Sequence, residues 1–359
     1  VILPRVVVSV IWVGVIAYAV FAGADFGSGF WDLFAGGDRR GARPRRRIER
    51  SIGPVWEANH VWLIFVLVYL WTGFPEAFAA IATTLYVPLF LAAAGIVFRG
   101  GAFVFRKSST TLGEARFFGA LFAASSVITP FFLGAAVGGV ASGRVPAEGN
   151  GDPWTSWINP ASLLGGVLAV AVCAWTAAVL LTADARRDGE EDLVAYFRFR
   201  SLVTGVVVGV ISLVGVVAIE ADADTLASGL HGRAVVLVLL SAAAGLGAMW
   251  LLYRDRPAAA RYPAAGAVVA IVLGWGVGQY PWMLVDEVTI DQAAAPSTTL
   301  WALLVAFAGA ALLVVPSLVW MLVLTGEGRL EHRGGRGDSS EAVLERLQAE
   351  TGAVTSADG

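Results

Sequence analysis

Two short strings in this 359-residue chain carry side chains able to do chemistry. The first, Gly53-Pro54-Val55-Trp56-Glu57-Ala58-Asn59-His60-Val61-Trp62, puts a carboxylate, an amide and an imidazole within four positions at the start of an apolar run. On a helix, Trp56 and His60 are four apart, Glu57 and His60 three apart, and Asn59 and Trp62 three apart, so each pair shares a face. A carboxylate in such surroundings can take up and hand on protons, with His60 and Asn59 holding water beside it. The same string also reads as an interfacial helix start, its tryptophans anchoring at the membrane surface and Glu57 facing the positive end of the helix dipole. Both readings stand on these residues alone.

The second string, Gly23-Ala24-Asp25-Phe26-Gly27-Ser28-Gly29, places one carboxylate among three glycines. Small residues at these spacings let a neighbouring helix or a prosthetic group approach closely, and helix packing by itself accounts for the glycines. It does not account for Asp25, because an ionisable group inside an apolar run is costly and marks a candidate site.

Other chemistry is thinly represented. His60 has no second axial partner for a haem iron at matching depth, and a histidine beside Glu and Asn is more often hydrogen-bonded. His231 falls in a connection and His332 in the tail. The one cysteine, Cys173, lies inside an apolar run, which excludes a disulfide framework and a redox pair. No metal-ligand spacing, phosphate-cradling glycine loop, nucleophile elbow or nucleic-acid charge pattern occurs. Arg99 and Arg106, in Arg99-Gly100-Gly101-Ala102-Phe103-Val104-Phe105-Arg106-Lys107, read as cations for lipid phosphate or for a partner's carboxylate. Gly274 to Trp282 reads as an aromatic belt, and Pro88, Pro130 and Pro316 as kinks inside spans.

The elements that must position these residues are membrane-spanning. The chain is 57% hydrophobic and 15% charged, which excludes a water-soluble enzyme. Nine runs are long enough to cross a hydrocarbon layer of about 30 Å, near 6 to 34, 54 to 73, 77 to 98, 118 to 141, 160 to 182, 201 to 219, 233 to 253, 262 to 284 and 299 to 325. The first follows the N-terminus directly with no small-residue cleavage site, so it is expected to be retained.

Of the 25 basic residues, 22 fall in alternate connections, including seven Arg between 35 and 50, while the other connections hold only Arg5, Arg144 and Arg233 and gather acids. The positive-inside rule then puts the N-terminus outside and the C-terminus in the cytoplasm. The expected fold is an all-α membrane protein. It divides into a first four-helix bundle (1–141), an outward linker (142–159), a second four-helix bundle (160–284), an outward loop with a peripheral ninth helix (285–325), and a mobile cytoplasmic tail (326–359).

The combination of Gly23-x-Asp25-Phe26-Gly27-x-Gly29, Pro54-x-Trp56-Glu57-x-Asn59-x-Val61-Trp62-Leu63, Phe74-Pro75, Arg99-Gly100-x-Ala102-Phe103-x-Phe105-Arg106 and Gln279-Tyr280-Pro281 resembles subunit II of cytochrome bd-type quinol oxidases, the CydB family. The likeness runs over about residues 8 to 325, with the strings in the family's order and spacing. It implies a nine-span subunit of the bacterial cytoplasmic membrane, paired with subunit I in a pseudo-symmetric heterodimer. Subunit I would hold two b-type haems and one d-type haem, oxidise quinol on the outer side and reduce dioxygen to water, with no proton pumping implied.

By the same resemblance this chain ligates no haem, and Glu57 matches an acid on a proton path from the cytoplasm to the oxygen-reducing haem. Asp25 matches a carboxylate of the first span, structural or part of the polar interior, and with Trp56, Asn59 and His60 it is read as the polar cluster supporting Glu57. Some members hold a quinone in this subunit, which no residue here can be assigned to, and further small subunits are compatible with the family. Val104 stands where many relatives carry an acid, so this chain has no carboxylate for a proton or ion-pair role at that position, and His60 stands where relatives vary. A secondary transporter, which nine spans with intramembrane proline and carboxylates also permit, is the alternative.

Overall fold

The computed structural model describes the backbone of residues 2–326. The side chains of 38–40, 53–58, 107, 315, 318, 319 and 321–326 lie outside the described residues, as does the whole tail from 327 to 359. The described chain is built from helices α1 (Ile2–Leu33), α2 (Asp38–Gly73), α3 (Pro75–Thr84), α4 (Tyr86–Lys107), α5 (Leu112–Ala141) and α6 (Pro160–Arg187). There follow α7 (Glu191–Asp222), α8 (Asp224–His231), α9 (Val235–Tyr253), α10 (Pro257–Gln279), the strands β1 (Trp282–Leu284) and β2 (Val288–Thr289), and α11 (Ser297–Gly326). Among the described residues eight helices are long and apolar enough to cross a membrane, and the pair Asn59–Gly73 and Pro75–Thr84, bent by 117°, makes nine if counted as one span.

Local chemistry sets several boundaries. Thr111 caps α5 by accepting from Glu114 N–H at 3.2 Å while the Glu114 carboxylate reaches back to the Thr111 amide, a reciprocal cap. Asn159 accepts from Ser162 N–H at 2.9 Å and Pro160 opens α6, where a missing amide hydrogen costs nothing.

The structure corrects three sequence expectations. The third span, expected over 77 to 98, is divided into α3 and α4, because the Pro88 nitrogen cannot donate to the Thr84 carbonyl and the helix restarts at Tyr86. Pro88 therefore opens a span instead of kinking one. The helix carrying the second span does not begin at Pro54: α2 starts at Asp38, so the arginine-rich connection is largely helical. The eighth span stops at Gln279 instead of 284, as the Tyr280-Pro281 pair cannot extend a helix, and an antiparallel ribbon pairing Trp282 with Thr289 follows, a departure from an all-α fold.

The connections gather at two ends, and the charges sort with them. At one end Arg5 pairs with Asp291 at 2.9 Å, Arg144 with Asp222, and Arg233 donates to the Gly278 carbonyl at 2.8 Å. The short helix α3 lies at this end under the 142–159 segment, where Gly149 and Gly151 sit against Thr83 and Thr84. At the other end Arg43 pairs with Asp192, Arg47 with Asp188, and Arg186 with Asp255. Between the ends, α1 packs against α2, α5 and α6, and α11 lies along α1 and α2.

Candidate functional site

The small-residue string of α1 is the meeting point of two helix contacts. A Cβ at residue 27 would overlap the Cys173 carbonyl of α6, and one at residue 29 would overlap the Ser126 hydroxyl of α5. Glycine at these positions thus lets α1 touch two helices at once. The close approach encloses Asp25, which lies two residues before Gly27 and is 0% exposed.

Asp25 is met by two helices from other parts of the chain. The Arg99 guanidinium of α4, 1% exposed, pairs with Asp25 Oδ1 at 2.7 Å through Nη2 and also donates from Nη2 to the Asp25 carbonyl at 2.9 Å. Asn59 of α2, also fully buried, donates from Nδ2 to Asp25 Oδ2 at 3.1 Å. Arg99 Nε donates to Ser126 Oγ of α5 at 2.9 Å, and Ser126 in turn donates to the Phe122 carbonyl at 2.7 Å. The rings of Phe26 and Phe122 lie 4.9 and 4.7 Å from the guanidinium carbon, a cation–π enclosure. Four helices are joined through one buried charge pair.

An arginine keeps its charge in protein surroundings, so burying Arg99 requires an anion, and Asp25 supplies it. This is the reason a carboxylate is tolerated in α1. The Tyr18 hydroxyl, Asn59 Oδ1 and Arg99 Nη1 are buried with no hydrogen-bond partner among the described residues, so the cluster keeps polar capacity for water or a proton carrier.

The structure brings Asp25 and Asn59 together with Arg99, a connection that sequence did not suggest. Arg99 and Arg106, read as lipid- or partner-facing, are both turned inward: Arg106, 11% exposed, pairs with Asp32 of α1 at 3.2 Å. Positions 99 and 106 are seven apart and fall on the face of α4 turned toward α1. Asp32, which sequence reading passed over, also takes Arg45 Nε at 3.3 Å and so joins α1, α2 and α4. His60 is half-buried beside Asn59. The side chains of Trp56 and Glu57 lie outside the described residues, although the backbone of both belongs to α2. Gln279, read within an aromatic belt, accepts from Trp275 Nε1 at 2.8 Å and donates to the carbonyls of Trp282 and Met283, holding the ribbon to α10.

Among the described residues, no three of His, Cys, Asp and Glu converge as a metal site. His231 has Nδ1 at 3.0 Å from the Ala227 carbonyl and Nε2 at 3.5 Å from Glu220.

Comparison with known proteins gives a consistent set of relatives. The model of the family described as cytochrome bd terminal oxidase subunit II matches residues 3–325. The chain is 31% identical over 170 residues to cytochrome bd ubiquinol oxidase subunit 2 of Bacillus subtilis, covering 47% of this chain and 48% of that one. It is 32% identical over 165 residues to cytochrome bd-I ubiquinol oxidase subunit 2 of Escherichia coli K12, covering 43% and 42%. The matched segments thus span about half or less of these curated relatives. The solved structure of bd oxidase from Geobacillus thermodenitrificans contains a chain of the same fold, with a TM-score of 0.73 at 23% identity over 90% of this chain and 99% of that one.

Proposed function

The chain belongs to the cytochrome bd terminal oxidase subunit II family, and on that premise we propose that it is the second subunit of a quinol:oxygen oxidoreductase of the bacterial cytoplasmic membrane. Its role is to brace a haem-bearing subunit I and to offer that partner a proton route from the cytoplasm. The observation that carries this reading is the family match across residues 3–325.

In this reading nine helices cross the bilayer: α1, α2, α4 and α5 as a first bundle, α6, α7, α9 and α10 as a second, and α11 at the periphery. The 142–159 segment links the bundles on the outside, the N-terminus is outside, and the end carrying Arg43, Arg47 and Arg186 is cytoplasmic. The excess of basic residues at that end supports the orientation.

Two b-type haems and one d-type haem belong to subunit I, where they supply electron transfer and oxygen reduction. Among the described residues, His231 has its ring nitrogens near the Ala227 carbonyl and Glu220, Cys173 is buried against α1, and the Met249 sulfur packs where a Cβ on Gly205 would be, which supports haems held by the partner. Oxygen reduction to water consumes protons, and Glu57 of α2 is the group that takes them up from the cytoplasmic side. Its place in the sequence supports this, since Glu57 follows the seven arginines between 35 and 50 and opens the apolar run of α2. Asp25 itself serves as the counter-ion of Arg99 and keeps α1, α2 and α4 in register. A quinone in this chain and small accessory subunits remain compatible with the family.

A solute transporter would place a broken helix near mid-membrane, at the substrate. The break between α2 and α3 lies instead at the end capped by the 142–159 segment, which favours the oxidase reading.

Glu57→Gln in the intact complex tests the proton route. Quinol-driven oxygen uptake is expected to slow while the haem content stays that of the unaltered complex. Unchanged turnover per haem would remove Glu57 from the path.

A further inference from the structure

With Arg99 and Arg106 turned inward, the cations that face the surroundings at the arginine-rich end are found elsewhere. The turn between α9 and α10 is organised around Asp255, whose backbone takes the left-handed conformation (φ 58°), one that aspartate tolerates better than most residues. Its carboxylate accepts from Arg186 Nη2 at 2.7 and 2.8 Å and lies 3.4 Å from Arg198 Nη1. Arg198 also donates to the carbonyls of Leu252 and Tyr253, each at 2.7 Å, so the turn is pinned to α6 and α7.

This use of Asp255 leaves its neighbours uncompensated. Arg254, Arg256 and Arg261 are exposed and reach no carboxylate among the described residues. Arg254 lies 5.3 Å from the Trp250 ring, and Arg261 donates to the Tyr262 hydroxyl at 2.8 Å. Asp255 and Glu191 are taken by Arg186 and Arg198, so Arg254, Arg256 and Arg261 present three positive charges with no carboxylate partner among the described residues.

The flanking apolar surface completes the pattern. Trp250, Tyr253 and Tyr262 are 55%, 72% and 66% exposed, rings of the kind that sit at headgroup depth. Leu239, Leu246 and Trp250 are spaced by seven and four on one face of α9, and the two leucines are 63% and 72% exposed. A positively charged rim thus stands directly over a strip fitted to acyl chains.

We propose that the α9–α10 turn is a binding site for an anionic phospholipid, with Arg254, Arg256 and Arg261 holding the phosphodiester headgroup and Trp250 and Leu246 lining its acyl chains. Charge complementarity selects an anionic over a zwitterionic lipid, since each arginine near a headgroup contributes comparably to the attraction. The site depends on the chain being membrane-embedded and not on the oxidase reading.

The test is native mass spectrometry of the intact complex in detergent, titrated separately with phosphatidylglycerol, phosphatidylcholine and inorganic phosphate. The unaltered complex is expected to retain one more phosphatidylglycerol than the triple variant Arg254→Gln, Arg256→Gln, Arg261→Gln, with affinity at that site falling on the order of a hundredfold. Phosphatidylcholine should be retained equally by both, and the triple Arg→Lys variant should bind phosphatidylglycerol again. Should the triple Gln variant fail to assemble, the single Arg254→Gln and Arg256→Gln variants carry the same comparison, with about fivefold losses. Equal phosphatidylglycerol retention by variant and unaltered complex would overturn the proposal. So would equal preference for phosphatidylcholine, or one-for-one displacement of the lipid by inorganic phosphate.

Discussion

Asp25 of α1 and Arg99 of α4, separated by 74 positions in the chain, meet as a 2.7 Å ion pair with both side chains sealed from solvent. Removing one member of such a pair leaves an uncompensated charge, whereas replacing both with apolar groups of similar volume does not. Asp25→Asn or Arg99→Gln is therefore expected to destabilise the chain by about 3–5 kcal/mol, and Asp25→Leu with Arg99→Met to recover most of that loss. The thermal midpoint of the complex in lipid nanodiscs checks this; a double variant as unstable as the singles would argue against the pair as the cause.

Gly27 of α1 touches the Cys173 backbone of α6, and a carbonyl cannot swing aside as a side-chain tip can. Gly27→Ala is expected to force α1 and α6 apart and lower the yield of assembled complex. Gly113→Ala, at a position open to its surroundings, should leave it unchanged. Equal yields from the two variants would show that the contact between α1 and α6 is not tight.

Arg47 is 2% exposed and reaches both Asp188 and Glu190 in the turn between α6 and α7, tying the arginine-rich stretch of α2 to the second half of the chain. Its acids are partly solvated, which tempers the penalty of losing it to about 1–3 kcal/mol. Arg47→Met should shift the thermal midpoint down accordingly, and adding Asp188→Asn should recover part of the shift. Differential scanning of the two variants settles whether that coupling exists.

Asp152, in the segment between α5 and α6, accepts from the amides of Thr155 at 2.7 Å and Trp154 at 2.9 Å, which holds its carboxyl below the ordinary aspartate value. A lowered folded pKa stabilises the segment fully above the unfolded value, and that contribution is lost as pH falls toward the folded one. Trp154 emission should accordingly report an acid transition below the normal aspartate range. Asp152→Ala is expected to abolish that transition, and its persistence would assign it to another group.

Most of the apolar helices and the grouping of their connections at two ends were legible because each depends on near neighbours: apolar length and the alternation of arginine from one connection to the next. The ends of the structure sort their ion pairs as that alternation does, Arg5 with Asp291 at one end and Arg186 with Asp255 at the other. The break at Thr84 was not legible, since Pro88 is as compatible with a kink as with a restart until the residue four positions earlier is known to end a helix. Arg99 was misread for a related reason. A cation near the end of an apolar run is ordinarily interfacial, and only contact between α1 and α4 shows that its carboxylate is Asp25. Asn59 was read beside Glu57 and His60 on one helix, whereas its amide points across to α1. Side-chain partners so distant in sequence leave no periodic signal.

The proposed role requires this chain to be the haem-free member of a pair, and the haem spectrum of the purified polypeptide tests that most directly. Expressed without subunit I, the chain should be colourless and inert toward quinol and oxygen; co-expressed with subunit I, the purified pair should show b- and d-type haem absorption and quinol-driven oxygen uptake. A haem signal from the chain alone, or undiminished function without a partner, would contradict it.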